Sequence, residues 1–177
     1  MSRYHIEEYN PDWVTKFESI KTILGSVFGV RALAIEHVGS TSIPGMKAKP
    51  IIDVLVVVGD MTLLSKEKDV MQTKGYLVQE DYVLPNTLLF RRIDGEGNKI
   101  ENIHVCESSS PMEKQFLVMR DYLRAFPDEC RRYSDLKVEL LKKFPNDYES
   151  YRATKDPFLK DLKQKAYLWH ATISRAS

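Results

Sequence analysis

The stretch Ile51-Ile52-Asp53-Val54-Leu55-Val56-Val57-Val58 constrains this chain more than any other segment. It is almost entirely aliphatic and mostly β-branched, with no alternation that would leave one face in water, so it reads as a central strand covered on both sides. Such a strand needs cover on both faces of its sheet, and the flanking sequence supplies helices. Asn10-Pro11-Asp12-Trp13 reads as a helix start, because Asn can cap free amides and Pro at the first position gives up no needed donor. Trp13, Phe17, Ile20, Ile23 and Leu24 then recur at helical spacing, and Gly25 or Gly29 ends the helix. Met61 to Lys74, with Asp60 as cap and Gly75 as stop, reads as a helix crossing back over the sheet. Val30 to Val38, Tyr76 to Tyr82 and Thr87 to Ile93 read as further strands. Asp94-Gly95-Glu96-Gly97-Asn98 is the turn of a hairpin whose returning strand is Lys99 to Cys106.

From residue 111 the pattern is helical only. Ser110-Pro111-Met112-Glu113 is a capping box, Pro127 starts a second helix, and Asp156-Pro157 is expected to start a third. The expected architecture is therefore one α/β (α+β) domain over residues 1–177, a sheet part in 1–110 followed by a helical part in 111–177. Lys plus Arg number 26 against 25 Asp plus Glu, and the formal charge of +1 sets up no field that would favour nucleic acid. No window approaches the roughly 18 apolar residues of a membrane span, and the acidic start Met1 to Glu8 has no leader-like apolar run. Cys106 and Cys130 are too few for a disulfide framework, so a cytoplasmic protein with packing thiols is the expectation.

The chemistry-bearing segment is Glu36-His37-Val38-Gly39-Ser40-Thr41-Ser42-Ile43-Pro44-Gly45, followed by Lys47 and Lys49-Pro50. Gly39 lets backbone approach a ligand, and Ser40, Thr41 and Ser42 offer hydroxyls and amides, an arrangement that suits a phosphate. Asp53 stands in an otherwise apolar strand, where a carboxylate must pair with a buried donor or emerge to bind a metal.

At these residues the chain resembles the GrpB family and, through it, the nucleotidyltransferase superfamily. The resemblance runs from Tyr9-Asn10-Pro11-Asp12-Trp13 through Ile35 to Val58. It continues in Gly75-Tyr76, Asn102-Ile103-His104-Val105, Met119 to Arg124, Tyr133 with Lys137, and Tyr151 with Lys155. It implies a nucleotidyltransferase-like mixed β-sheet with flanking helices and a C-terminal helical half. It also implies a Gly-Ser turn for nucleotide phosphates, an acid-x-acid pair on the next strand and a third acid on a later one. Two Mg²⁺ ions need several hard oxygen ligands to clamp both ends of an in-line displacement. This chain keeps Gly39, Ser40 and Asp53, but Leu55 stands at the second acid position and His104 is taken as the equivalent of the third.

Asp53 and His104 are the catalytic candidates on that resemblance. His37, Asp53 and His104 together would make a mixed nitrogen and oxygen set for a divalent metal, one that suits Zn²⁺, Mn²⁺ or Fe²⁺ better than Mg²⁺. The competing reading is a hydrogen-bonded network in which both histidines hold the loop. Gly39, Ser40, Thr41, Ser42, Lys49, Arg120, Arg124 and Lys155 are the candidates for holding phosphate. Arg120 and Arg124 lie one helical turn apart, and Lys155 sits beside the expected start at Pro157. Lys47 reads as a solvated loop lysine, and Lys137 as a lysine snorkelling over Tyr133. The expected partner is a nucleotide or phosphorylated small molecule. Two activities follow: metal-dependent nucleotidyl transfer, or a non-catalytic module holding a nucleotide or a coenzyme A-like compound. The second is suggested by similar domains fused to dephospho-coenzyme A kinase.

Overall fold

The computed structural model describes residues 5–82 and 84–175. Met1 to Tyr4, half of the stretch read above as leaderless, lie outside them. Helix α1 (Asp12–Phe28) begins where expected, and the amide of Asp12 donates to Asn10 Oδ1 at 2.9 Å. Strands β1 (Ala32–Val38), β2 (Ile52–Val58), β3 (Leu77–Glu80), β4 (Leu88–Ile93) and β5 (Lys99–Glu107) form one sheet in the order β1-β2-β5-β4-β3. Only the β2–β5 pair is parallel, so the sheet is mixed. The expected helix at 61–74 divides in two. Asp60 caps a short 3₁₀ turn, Met61–Leu63, and α2 (Ser65–Thr73) follows, with Gly75 at φ +86° after it.

Strand β2 is interior and buried on both faces for a visible reason. Val54, Val56 and Val58 pack with Trp13, Phe17, Ile20 and Leu24 of α1. Leu55 and Val57 face the other way, onto Met112 and Phe116 of α3 (Pro111–Ala125). Ser110 caps α3 by accepting from the Glu113 amide at 3.2 Å, while Glu113 returns to the amide of Ser109 rather than Ser110.

Helix α4 (Pro127–Lys143) starts at its proline, as expected. The last helix departs from expectation. Asp156-Pro157 starts nothing, because α5 runs unbroken from Tyr148 to Ile173 with Pro157 inside it. The start is fixed earlier by Asp147, whose carboxylate accepts from the Ser150 amide at 3.0 Å and the Ser150 hydroxyl at 2.6 Å. An interior proline costs about 3 kcal/mol. The burial of Leu162 and Ala166 against α3 and α4 offsets that cost.

The same helical core receives Ile43 and Met46 from the loop after β1, which packs with Val118, Leu123 and Tyr133. The helical half therefore packs against the loop that carries the hydroxyl-rich turn. No helix among the described residues is long and apolar enough to cross a membrane.

Candidate functional site

Gly39 closes β1 and precedes a 3₁₀ turn, Ser40–Ser42, on the way to β2. Its φ of +69° and ψ of −172° lie in a region open almost only to glycine. A Cβ there would stand 2.9 Å from Asp53 Cβ and 3.0 Å from Asp53 Cγ. The missing side chain is what lets the turn lie on the acid. Thr41 and Ser42 turn inward: Thr41 Oγ1 donates to Ile51 O at 3.3 Å and Ser42 Oγ to Gly39 O at 2.7 Å. Of the three hydroxyl residues, Ser40 alone lines the cavities described below.

Arg124 donates through Nε and Nη2 to Ser42 O, at 3.1 and 2.8 Å. Arg120 donates through Nη1 to Glu36 at 2.7 Å and to His37 O at 3.3 Å, and through Nε to Asp121 at 2.8 Å. Both forks offered by the sequence to an anion are thus engaged with the protein's own oxygens, and they shape the turn from behind.

Across the parallel β2–β5 pair Asp53 stands in register with Asn102, and Leu55 with His104. Asn102 Nδ2 donates to Asp53 Oδ1 at 2.8 Å, so the neighbour of the acid is an amide to which the sequence reading gave no role. His104 Nε2 lies 3.6 Å from the same oxygen, and its Nδ1 is buried with no hydrogen-bond partner. His37 is on the other face. It is in register with Val54, stacks on Phe17 with ring centroids 4.7 Å apart, and its Nε2 lies 3.1 Å from Thr41 Oγ1. Burial lowers its pKa to about 4, against the pull of Asp53 and with help from Arg124 and Arg120, so the ring is neutral near pH 7.

The expectation of a His37, Asp53 and His104 metal set is therefore corrected. Alternation along the strands sends His37 to the α1 face and the other two to the α3 face. Among the described residues no group of three or more His, Cys, Asp or Glu could hold a metal ion. One carboxylate beside an amide and an imidazole does not fit a pair of Mg²⁺ ions.

What the structure gathers instead is a lysine-walled cavity of about 170 Å³. Ser40, Asp53 and Asn102 line it together with Lys49, Lys137 and Lys155. Tyr133, Tyr148 and Tyr151 complete the wall. Lys137 is only 5% exposed, and its Nζ donates to Ser40 Oγ at 3.0 Å and to Lys47 O at 2.6 Å. Burial, reinforced by the ammonium groups of Lys155 and Lys49 and opposed by Cys130 and Asp53, brings its pKa down to about 7. Burial, with Lys155 and Lys99 adding to it, brings Lys49 to about 8; its Nζ sits 4.9 Å from the Tyr148 ring centroid. Lys155 is also lowered, by burial, and lies 5.2 Å over the Tyr151 ring. It reaches the site from within a continuous helix rather than from a junction. Lys47 pairs with Glu8 at 2.9 Å at the surface.

Lys137 is the residue whose role the sequence conceals most, yet a signal exists. The buried positions of α4 are Cys130, Tyr133, Ser134, Lys137 and Leu140. A lysine inside that inward stripe has no water to snorkel to.

The comparisons with known proteins give the family and the fold. The family described as GrpB protein matches residues 3–165. The chain belongs to the GrpB family. Among its relatives is the UPF0157 protein YqkA of Bacillus subtilis, 34% identical over 161 residues. The match covers 91% of this chain and 46% of YqkA, so the chain spans about half the length of that relative. The crystal structure of the conserved protein GrpB from Enterococcus faecalis matches with a TM-score of 0.87 at 29% identity, over 94% of this chain and 99% of that one. The Cid1 poly(U) polymerase, in a structure bound to MgATP, matches with a TM-score of 0.50 at 11% identity, over 77% of this chain and 43% of that one. That likeness shows the fold: this GrpB protein has a nucleotidyltransferase-like mixed sheet with flanking helices.

Proposed function

We propose that this GrpB-family protein binds a nucleotide or another phosphorylated small molecule, with the phosphates between the Ser40 turn and Lys49, Lys137 and Lys155. The observation that carries this reading is the convergence of three partly or wholly buried lysines on one cavity. Three ammonium groups outnumber Asp53, the one carboxylate lining the cavity, and burying the excess like charge is unfavourable unless a further anion joins them. A phosphate entering there would gain charge-assisted hydrogen bonds from the ammonium groups while relieving their repulsion. Tyr148 and Tyr151, with stacked rings 6.0 Å apart, offer an aromatic surface beside the phosphates for a base.

Binding without nucleotidyl transfer is the better supported form. Leu55, fully buried in the apolar layer against α3, occupies the place of a second acid. Asp53 is then a polar wall that orients the ligand through Asn102, rather than half of a two-metal clamp.

Calorimetric titration of ATP and pyrophosphate into the protein, with and without Mg²⁺, tests the reading. Binding is expected without metal, weakening with salt. Lys155→Met should weaken it at least tenfold, or about 1.4 kcal/mol. No binding by either ligand, or a Lys155→Met protein indistinguishable from the parent, would contradict it.

A further inference from the structure

We infer that Ser40 and Lys137 form a serine–lysine dyad that accepts acyl groups, with Ser40 Oγ as the nucleophile and Lys137 Nζ as its base. The inference goes beyond the binding reading and rests on it only for the anchoring of the leaving group.

Three features meet at Ser40. The first is the contact itself: Lys137 Nζ stands 3.0 Å from Ser40 Oγ, inside the range a base needs to take a hydroxyl proton. The second is the orientation of the amine. Lys47 O holds one N–H at 2.6 Å. With that hydrogen fixed, the deprotonated nitrogen can direct its lone pair at the Ser40 hydroxyl. The third is position. Ser40 lines not only the lysine cavity but also a neighbouring one of about 150 Å³, walled mainly by Phe116, Met119, Leu123 and Leu159 with Gln115, Arg120 and Lys163 as its polar members, and Tyr133 lines both. A largely apolar chamber and a cationic chamber, both lined by the serine, suit an acyl group and a phosphorylated leaving group, respectively, with the phosphate of that substrate on Lys49 and Lys155 so that Lys137 keeps its free amine. The substrate class is an ester or thioester joining an apolar acyl group to a phosphorylated alcohol or thiol.

The electrostatics support the base role. Lys155 from α5 and Lys49 from the loop before β2 destabilise the ammonium of Lys137. Asp53 from β2 and Cys130 from its own helix favour it, and the ring of Tyr133 lies 4.6 Å away. Burial dominates, and a pKa of about 7 leaves a large share of free amine at neutral pH.

In the acylation step Ser40 Oγ forms a bond to the carbonyl carbon and its proton passes to Lys137 Nζ. The carbon–oxygen or carbon–sulfur bond to the leaving group then breaks, and the departing alkoxide or thiolate takes that proton. Water repeats the sequence on the acyl-serine, releasing a carboxylic acid and restoring both side chains. No oxidant, reductant or metal enters the balance.

The test uses the full chain with 4-nitrophenyl acetate, 4-nitrophenyl butyrate and a fluorophosphonate, read by nitrophenolate release and peptide mass mapping. One adduct per chain is expected, on Ser40, with butyrate reacting faster than acetate. The acylation rate should rise with pH and reach half its maximum near pH 7, as Lys137 loses its proton. Ser40→Ala and Lys137→Met should each slow the reaction at least a hundredfold, with urea midpoints confirming that both are folded. The pH profile of the unaltered protein gives an answer even if a variant fails to fold. An adduct on Lys137 or elsewhere, no adduct, or a rate flat across pH 7 overturns the dyad. Pyrophosphate binding measured on the same protein separates the two claims. Binding with no adduct removes the dyad alone, and an adduct with no binding removes the phosphate reading alone.

Discussion

Replacing Gly39 by alanine is expected to destabilise the protein by about 3 kcal/mol or more, with phosphate binding lost in whatever remains folded. Two effects add. The backbone conformation, φ +69° and ψ −172°, costs a non-glycine residue about 1–3 kcal/mol. The new methyl group would also meet Asp53 at 2.9 Å from its Cβ and 3.0 Å from its Cγ, atoms close to the β2 backbone that cannot swing aside. Gly45 provides the control, since its φ is +78° but nothing lies within 4 Å of a Cβ placed there. Gly45→Ala should show the cost of a positive φ without a steric clash. Urea midpoints of the two variants check the argument, and equal losses would mean that the close approach of turn and acid is unimportant.

Lys137→Met is expected to weaken ATP and pyrophosphate binding about a hundredfold, or about 2.7 kcal/mol. That is the scale of one or two hydrogen bonds to a charged group, worth about 1.5–3 kcal/mol each. The fold should survive, because methionine fills the same channel and removes a buried charge. That relief offsets the two hydrogen bonds, to Ser40 Oγ and Lys47 O, that disappear with the amine.

The sign of the pH effect follows from linkage. In the folded protein Lys137 titrates near 7 and in the unfolded chain near 10.5, so between those values the unfolded state holds more protons. The unaltered protein should therefore gain stability from this group as pH rises from about 7 towards 10. Lys137→Met should lack that gain. Urea midpoints at pH 6.5 and pH 9 for both proteins measure it, and parallel responses would contradict the burial of the charge.

The sequence disclosed most where a single local rule governed. An aliphatic β2 between two helix-forming regions left little choice but an interior strand, and the proline starts of α3 and α4 were visible for the same reason. Pro157 misled because the rule that prolines begin helices is local, whereas the packing of Leu162 and Ala166 that carries α5 through it is tertiary. At the site, Gly39, Ser40, Asp53, Lys49 and Lys155 were legible as chemistry-bearing types in a short span or motif. His37 falls outside the metal set because a linear reading does not say which face of the sheet β1 gives it, and it holds the hydroxyl turn through Thr41 as the network reading expects. The pairing of Asn102 with Asp53 was missed because the parallel register of β2 and β5 cannot be read from either strand alone. Arg120 and Arg124 looked like ligand forks, but their protein partners, Glu36 and Ser42, lie far away in sequence.

The central claim is that the lysine cavity awaits an anion, and proton counting on ATP binding tests it most directly. At pH 8 the pKa values of about 7 for Lys137 and about 8 for Lys49 leave much of the cavity as neutral amine. A bound polyphosphate must raise both values by favouring the ammonium form. Calorimetric titration at pH 8 in buffers of different ionisation enthalpy should therefore show net proton uptake, reduced in Lys137→Met. Binding with no proton exchange, or with release of protons, would contradict the account.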